Sequence, residues 1–190
     1  MDYIHKNIYY LNLKELALIA NKFDIPYHIY LEKDSKLHKS SMCDPKVVII
    51  KRILKFLEKK SISKSTIYPK HVIKFKTINK VNKNDHVYFG SYKNGNPYIL
   101  RLMEQLTDNK FKFGALSCLI LRNYWSKGIA PTYKRFAKKW LVLNNKKLEH
   151  PEWQYINDIP HFPNHAEWRE HRTAIANKIL HLLFVDLKSK

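Results

Sequence analysis

The sequence predicts a mainly α-helical protein with a minor β element. Apolar residues make up 45% of the chain and aromatic residues 13%, which is enough to fill a packed core. In several segments these residues recur at spacings of three and four, as on one face of a helix. Four glycines in 190 residues argue against dinucleotide-binding turns and phosphate loops, which need glycine at special backbone positions.

The length permits one domain or two small ones. The stretch "KKSISKSTIYPK" is polar, cationic and rich in serine, which is typical of a boundary. We therefore predict an N-terminal helical hairpin over residues 1–60, a linker over 61–70 and a compact α-rich domain over 71–190. The last of these includes a short β element and a long C-terminal helix.

The first predicted helix follows Asn12, which can cap it, with Glu15 placed to complete a capping box. Pro26 closes the segment. Its apolar stripe consists of Leu13, Leu16, Ala17, Ala20 and Phe23. The next residues, 27–43, are polar and without a clear period, so we expect an extended connection or a surface loop.

A second helix is predicted over 44–60, with Asp44 at the N-cap and Pro45 at the first helical position. One face is apolar. The other carries Lys51, Lys55 and Lys59 four residues apart, with Arg52 beside them. Cations at this spacing repel one another mildly, which favours a face that meets an anion. The apolar stripe consists of Val47, Ile50, Ile53, Leu54 and Leu57.

Residues 10–60 resemble the SAP motif, a helix–extended–helix module that generally binds DNA. The matching positions are Leu13, Leu16, Ile19, Phe23, Ile25 and Pro26, then Lys46, Ile50, Arg52, Ile53 and Leu57. The resemblance implies contact with duplex DNA through Lys46, Lys51, Arg52 and Lys55. The chain departs from the family in its longer link, and in Asp44-Pro45-Lys46 where a glycine usually precedes the lysine.

The second region begins with two predicted strands, over 71–80 and 86–92, because apolar and polar residues alternate in the first of them. Helices are then predicted after Asn96 and Pro97, over 114–125, and over 132–143 with Thr132 as the cap. A last helix begins near Ala166, and we expect it to pack across this second region.

The 132–143 helix is the second candidate nucleic-acid surface. Its apolar face is opposed by Lys134, Arg135, Lys138 and Lys139, and residues 110–148 contain no Asp or Glu. A merely solvated face is the alternative, and the two helices joined by "SKGIAP" also suit a helix-turn-helix. Residues 68–140 also resemble, more loosely, a bacterial domain of unknown function that follows SAP-type motifs. The residues that carry this likeness are Phe111, Phe113, Thr132, Tyr133 and Trp140.

The net charge of +19 indicates attraction to polyanions, first nucleic acid and then anionic membrane surfaces. Basicity as a by-product of an AT-rich coding sequence is the alternative. Cys43 and Cys118 have no paired spacing, so neither a disulfide framework nor a cysteine-rich zinc site is indicated. We find no apolar run of transmembrane length and expect a cytoplasmic protein.

The sequence offers little for catalysis. His161 and His165 are four residues apart, but Pro163 between them argues against a zinc-binding helix. A nuclease built on Glu167, Glu170 and His171 would lack the clustered carboxylates that hold Mg²⁺. Aromatic rings near lysines, as in "YWSKGIAPTYKRF", suit base stacking, although most lie at core spacing.

We therefore predict a non-enzymatic nucleic-acid-binding protein that has no cofactor and contacts duplex DNA through phosphates. The alternative is a protein-interaction or effector module whose basic surface docks an acidic protein or an anionic membrane.

Overall fold

The structure is a computed structural model that describes residues 1–146, 153 and 159–185. The chain forms two compact units. Unit 1 comprises residues 1–27, 44–65 and 148–190, and unit 2 comprises residues 28–43 and 66–147. In the described residues there are seven α-helices and one three-stranded sheet, so the predicted mainly α fold with a minor β element is confirmed.

Unit 1 contains the helices α1 (Asp2–Asn7), α2 (Leu13–Lys22), α3 (Lys46–Lys59) and α7 (His165–Phe184). The capping box predicted for α2 is present: the Asn12 side chain accepts from the Glu15 amide at 3.0 Å, and the Glu15 carboxylate accepts from the Asn12 amide at 2.7 Å. α3 starts at Lys46, one residue later than predicted, and Pro45 occupies the capping position.

The core of unit 1 includes apolar residues from all four helices. The contribution of α7 is Ile175, Ala176, Ile179 and Leu183. In addition, the Arg172 guanidinium on α7 donates to both carboxylate oxygens of Glu15, at 3.0 and 2.5 Å. We predicted that α7 would pack across the second region, and this was wrong. An apolar stripe specifies burial, but it does not specify which apolar partner buries it.

The sheet belongs to unit 2 and has the strand order β2-β1-β3, with β1 at His28–Lys33, β2 at Lys36–Cys43 and β3 at Thr66–Tyr68. β1 and β2 form an antiparallel hairpin, and β3 pairs with β1 in parallel. The hairpin turns at Asp34 and Ser35, whose φ angles are 49° and 60°. The extended connection expected at 27–43 is therefore a hairpin.

The two strands predicted over 71–80 and 86–92 are absent from this described part of the chain. Lys70–Val72 forms a 3₁₀ turn, and a single bridge joins Ile73 to Phe89. Most of residues 74–86 are exposed, and the alternation seen in the sequence does not produce a buried face there. The β element therefore lies elsewhere than predicted.

Unit 2 also contains α4 (Pro97–Leu106), α5 (Ala115–Trp125) and α6 (Tyr133–Asn145). The predicted caps are present: the Asn96 side chain accepts from the Tyr98 and Ile99 amides, and the Thr132 hydroxyl from the Arg135 amide. Aromatic rings pack edge to face in the core of this unit. Phe111 and Phe136 form one such pair, and Phe111 also contacts Trp140 with the two ring planes inclined by 56°.

The division into units differs from the predicted boundaries at 60 and 70. Residues 28–43, which separate the two helices of the SAP-like segment in the sequence, belong to unit 2 with the sheet. The C-terminal helix belongs to unit 1. Within the described residues, no helix has both the length and the apolarity needed to cross a membrane.

Candidate functional site

Two of the four cations predicted on α3 are buried. Lys46 is only 7% exposed, and its ammonium donates a hydrogen bond to the Tyr9 carbonyl oxygen. Arg52 is 8% exposed. Its Nη1 lies 2.6 Å from Asp44 Oδ2 and 2.6 Å from the Pro26 carbonyl oxygen. Both side chains thus bond groups within unit 1, and their burial disfavours a contact with DNA, so that assignment stays a prediction from the sequence.

The other two predicted cations of α3, Lys51 and Lys55, are exposed, and Lys59 continues the row. No ion pair of Lys51 or Lys55 occurs among the described residues. Glu58 lies on the same helix, 3.5 Å from the His5 ring. Of the four cations predicted on α3, Lys51 and Lys55 are thus the two that are exposed.

The α6 face retains all four predicted cations. Lys134, Arg135, Lys138 and Lys139 are exposed, and in the described part of the chain none of them forms an ion pair. The Arg135 guanidinium lies 5.2 Å from the centre of the Tyr124 ring, a cation–π arrangement that limits where the side chain can go. We call these four residues the α6 basic face.

The buried side of α6 explains why the basic face points outward. Tyr133, Phe136, Ala137 and Trp140 are all buried, at spacings of three and four. These spacings place them on one side of the helix. Lys134 and Lys138 are one turn apart on the other side, as are Arg135 and Lys139. Packing of the aromatic face thus fixes the direction in which the cations project.

A lysine-rich segment, residues 70–84, is bonded to the first turn of α6. The Lys134 amide donates to the Lys83 carbonyl at 2.9 Å, and the Tyr133 amide donates to the Asp85 carbonyl at 3.0 Å. The segment contains five lysines and no acid. Sequence reasoning missed it because its alternation was interpreted as a strand; the absence of acids was the signal that could have found it.

Asp85 is the acid next to the start of α6. Its carboxylate accepts from the Asn82 amide at 2.8 Å and from the Asn82 side chain at 3.0 Å. Burial raises the pKa of the Tyr133 phenol well above its usual value, and the Asp85 charge raises it further. Tyr133 therefore stays neutral at physiological pH.

Most of the net charge belongs to unit 2. Its sequence contains 20 Lys and Arg against 5 Asp and Glu, a net of +15, whereas unit 1 contains 15 against 11, a net of +4. Of the difference of 11 charges between the units, 5 come from additional cations and 6 from fewer acids. The α6 basic face and the lysine-rich segment both belong to the strongly positive unit.

Metal and thiol chemistry would depend on the histidines, acids and cysteines. Within the residues that the structure describes, no group of three or more His, Cys, Asp or Glu side chains could hold a metal ion. Glu167 accepts a hydrogen bond from the Asn164 side chain at the start of α7. Cys43 and Cys118 are free thiols.

Comparison with protein-family models, with curated proteins and with solved structures finds no match to this chain. The resemblances to the SAP motif and to the bacterial domain therefore stay predictions from the residues alone.

Proposed function

We propose that this protein binds nucleic acid without catalysing a reaction, through phosphate contacts from the α6 basic face. The observation that carries the proposal is the exposure of Lys134, Arg135, Lys138 and Lys139 on one helix face with no ion pair among the described residues. The net charge of +15 on unit 2 supports it. We expect a cytoplasmic location, where nucleic acid is accessible.

Binding at such a face is driven by the release of condensed counterions as cations neutralise phosphates. Contacts of this kind position a protein on the backbone but do not read the base sequence. Lys51 and Lys55 supply a second, smaller surface on α3. Duplex DNA is the first partner to test, because the resemblance of residues 10–60 to the SAP motif implies it. Lys46 and Arg52 are not part of the proposed contact set.

The test is fluorescence anisotropy of the full chain with a labelled duplex between ~50 and ~200 mM salt, where each neutralised phosphate adds about 0.9 to the slope of log K against log salt. The variant replaces Lys134, Arg135, Lys138 and Lys139 with glutamine. If all four contact phosphates, the slope should fall by about 3.6.

The control variant removes the same charge from exposed positions elsewhere in unit 2, by replacing Lys33, Lys36, Lys39 and Arg101 with glutamine. We expect this control to retain most of the slope. Equal losses in both variants would mean that net charge, rather than the α6 basic face, drives binding. Absence of duplex and single-strand binding by the unmodified chain at ~150 mM salt, the physiological range, would refute the proposal.

A further inference from the structure

Phe75 lies in the lysine-rich segment and is 73% exposed, more than any other large apolar side chain in the described part of unit 2. An isolated exposed apolar residue needs no explanation by itself. The position of this ring needs an explanation, because several contacts hold it in place at the surface.

Hydrogen bonds fix the chain immediately before the ring. The Phe89 amide donates to the Val72 carbonyl at 2.9 Å, and the Lys74 amide donates to the Phe89 carbonyl at 2.9 Å. The Ser91 hydroxyl donates to the Lys74 carbonyl. Phe75 therefore follows a residue whose backbone N–H and C=O are both bonded, which limits the motion of the segment.

The Phe75 ring packs against the backbone of Gly90. Its φ angle is +89°, and a Cβ atom there would lie 2.6 Å from Cδ1 of Phe75. Only glycine lets the ring approach the backbone this closely. Phe89 supports it from the side, with ring centres 6.1 Å apart and planes inclined by 79°. Phe75 is thus held in place while most of its surface remains open.

Both sequence neighbours of the exposed ring are cations. Lys74 and Lys76 flank it in sequence and are exposed, and the Lys74 ammonium lies 5.4 Å from the centre of the Tyr88 ring. A dry protein interface would disfavour such neighbours, since charged residues are depleted at interface cores. A single nucleic-acid strand suits this combination, because its bases stack on aromatic side chains while its phosphates contact the neighbouring cations.

We infer that Phe75 stacks on an unpaired base of single-stranded nucleic acid, with Lys74 and Lys76 neutralising the adjacent phosphates. The inference rests on the proposed function and extends it from backbone contact to the recognition of unpaired bases. The hydrogen bond between the Lys134 amide and the Lys83 carbonyl connects this segment to the start of α6 within unit 2.

The experiment measures anisotropy of the full chain with a labelled 12-nucleotide oligothymidylate and, separately, with a duplex. Phe75→Ala should weaken single-strand binding about 5- to 150-fold, the range for losing one stacked base, and should leave duplex binding unchanged. Phe75→Trp should retain single-strand affinity. Tyr98→Ala, which removes another exposed ring of unit 2, is the matched control and should have no effect.

Three results would overturn the inference. Unchanged single-strand affinity in Phe75→Ala, with duplex binding intact, would refute the stacking site and leave the proposed function standing. Failure of the unmodified chain to bind either probe would refute both. Loss of binding to phosphatidylserine vesicles in Phe75→Ala, without loss on the oligonucleotide, would assign the ring to a membrane surface instead.

Discussion

Replacing Arg52 with methionine tests whether this side chain is structural, as its burial indicates, or a DNA contact, as its position in the sequence predicted. The guanidinium lies 2.6 Å from Asp44 Oδ2, and the two side chains are 9% and 2% exposed. Methionine fills most of the space of the aliphatic stem but leaves the Asp44 carboxylate buried without this partner. Breaking a buried pair in this way costs about 3–5 kcal/mol, a large part of the ~5–15 kcal/mol that stabilises a domain.

The assay is guanidinium unfolding followed by circular dichroism of the helices. Lys51→Met is the matched control, because the neighbouring side chain is exposed and the same charge is lost; it should change the free energy of unfolding by no more than about 0.5 kcal/mol. Adding Asp44→Leu to Arg52→Met should recover part of the loss, because no uncompensated charge then remains buried.

Two results would refute this reasoning. A loss below about 1 kcal/mol in Arg52→Met, the size of an average substitution, would mean that the pair contributes little to unit 1. A reduced salt slope for duplex binding in Arg52→Met, at unchanged stability, would restore Arg52 to the DNA contacts. We expect the salt slope to fall only for Lys51→Met, by at most about 0.9 for the one phosphate contact removed.

Two further predictions concern α6. Tyr133→Phe should be neutral or slightly stabilising at pH 7, because the buried hydroxyl has no hydrogen-bond partner among the described residues. The raised pKa keeps Tyr133 protonated in the folded state, while in the unfolded state the phenol ionises above pH ~10. The free energy of unfolding therefore falls as the pH rises through this range. Tyr133→Phe should reduce the slope of the free energy of unfolding against pH by up to about 1.4 kcal/mol per pH unit. Urea unfolding at pH 7 and 10.5 measures both effects, and an unchanged alkaline slope would contradict the second. Thr132→Ala should cost about 1 kcal/mol by removing the cap on the Arg135 amide, whereas Thr132→Ser should retain the cap, and equal melting of the two variants would contradict this role.

Local signals in the sequence were sufficient for most helices. The caps at Asn12, Asn96 and Thr132 are where they were predicted, because a cap depends on a side chain and the backbone two or three residues away. The partner of α7 was not predictable in this way. Its apolar residues contact a core that begins about 170 residues earlier in the chain, and periodicity contains no information about such pairing.

The candidate site was predictable in part for a related reason. The α6 basic face followed from helical spacing alone, since its opposite face is aromatic. Arg52 and Lys46 lie on a helix that was also predicted. Their hydrogen-bond partners lie outside it: Asp44 just before the helix, and the carbonyls of Pro26 and Tyr9 in earlier segments of the chain. A lysine or arginine that neutralises a carboxylate or bonds a carbonyl cannot be distinguished by sequence position from one that faces water.

The distribution of charge between the units bears on the view that basicity is a by-product of composition. A coding bias toward lysine raises cations throughout the chain, and both units contain many, 20 in unit 2 and 15 in unit 1. Acids differ by the larger ratio, with 5 in unit 2 and 11 in unit 1. A bias that enriches lysine gives no reason for acids to be scarce in one folded unit, particularly when the residues of that unit come from two separate segments. Exclusion of acids lowers the repulsion that a polyanion meets at the surface, so this asymmetry favours a binding surface on unit 2.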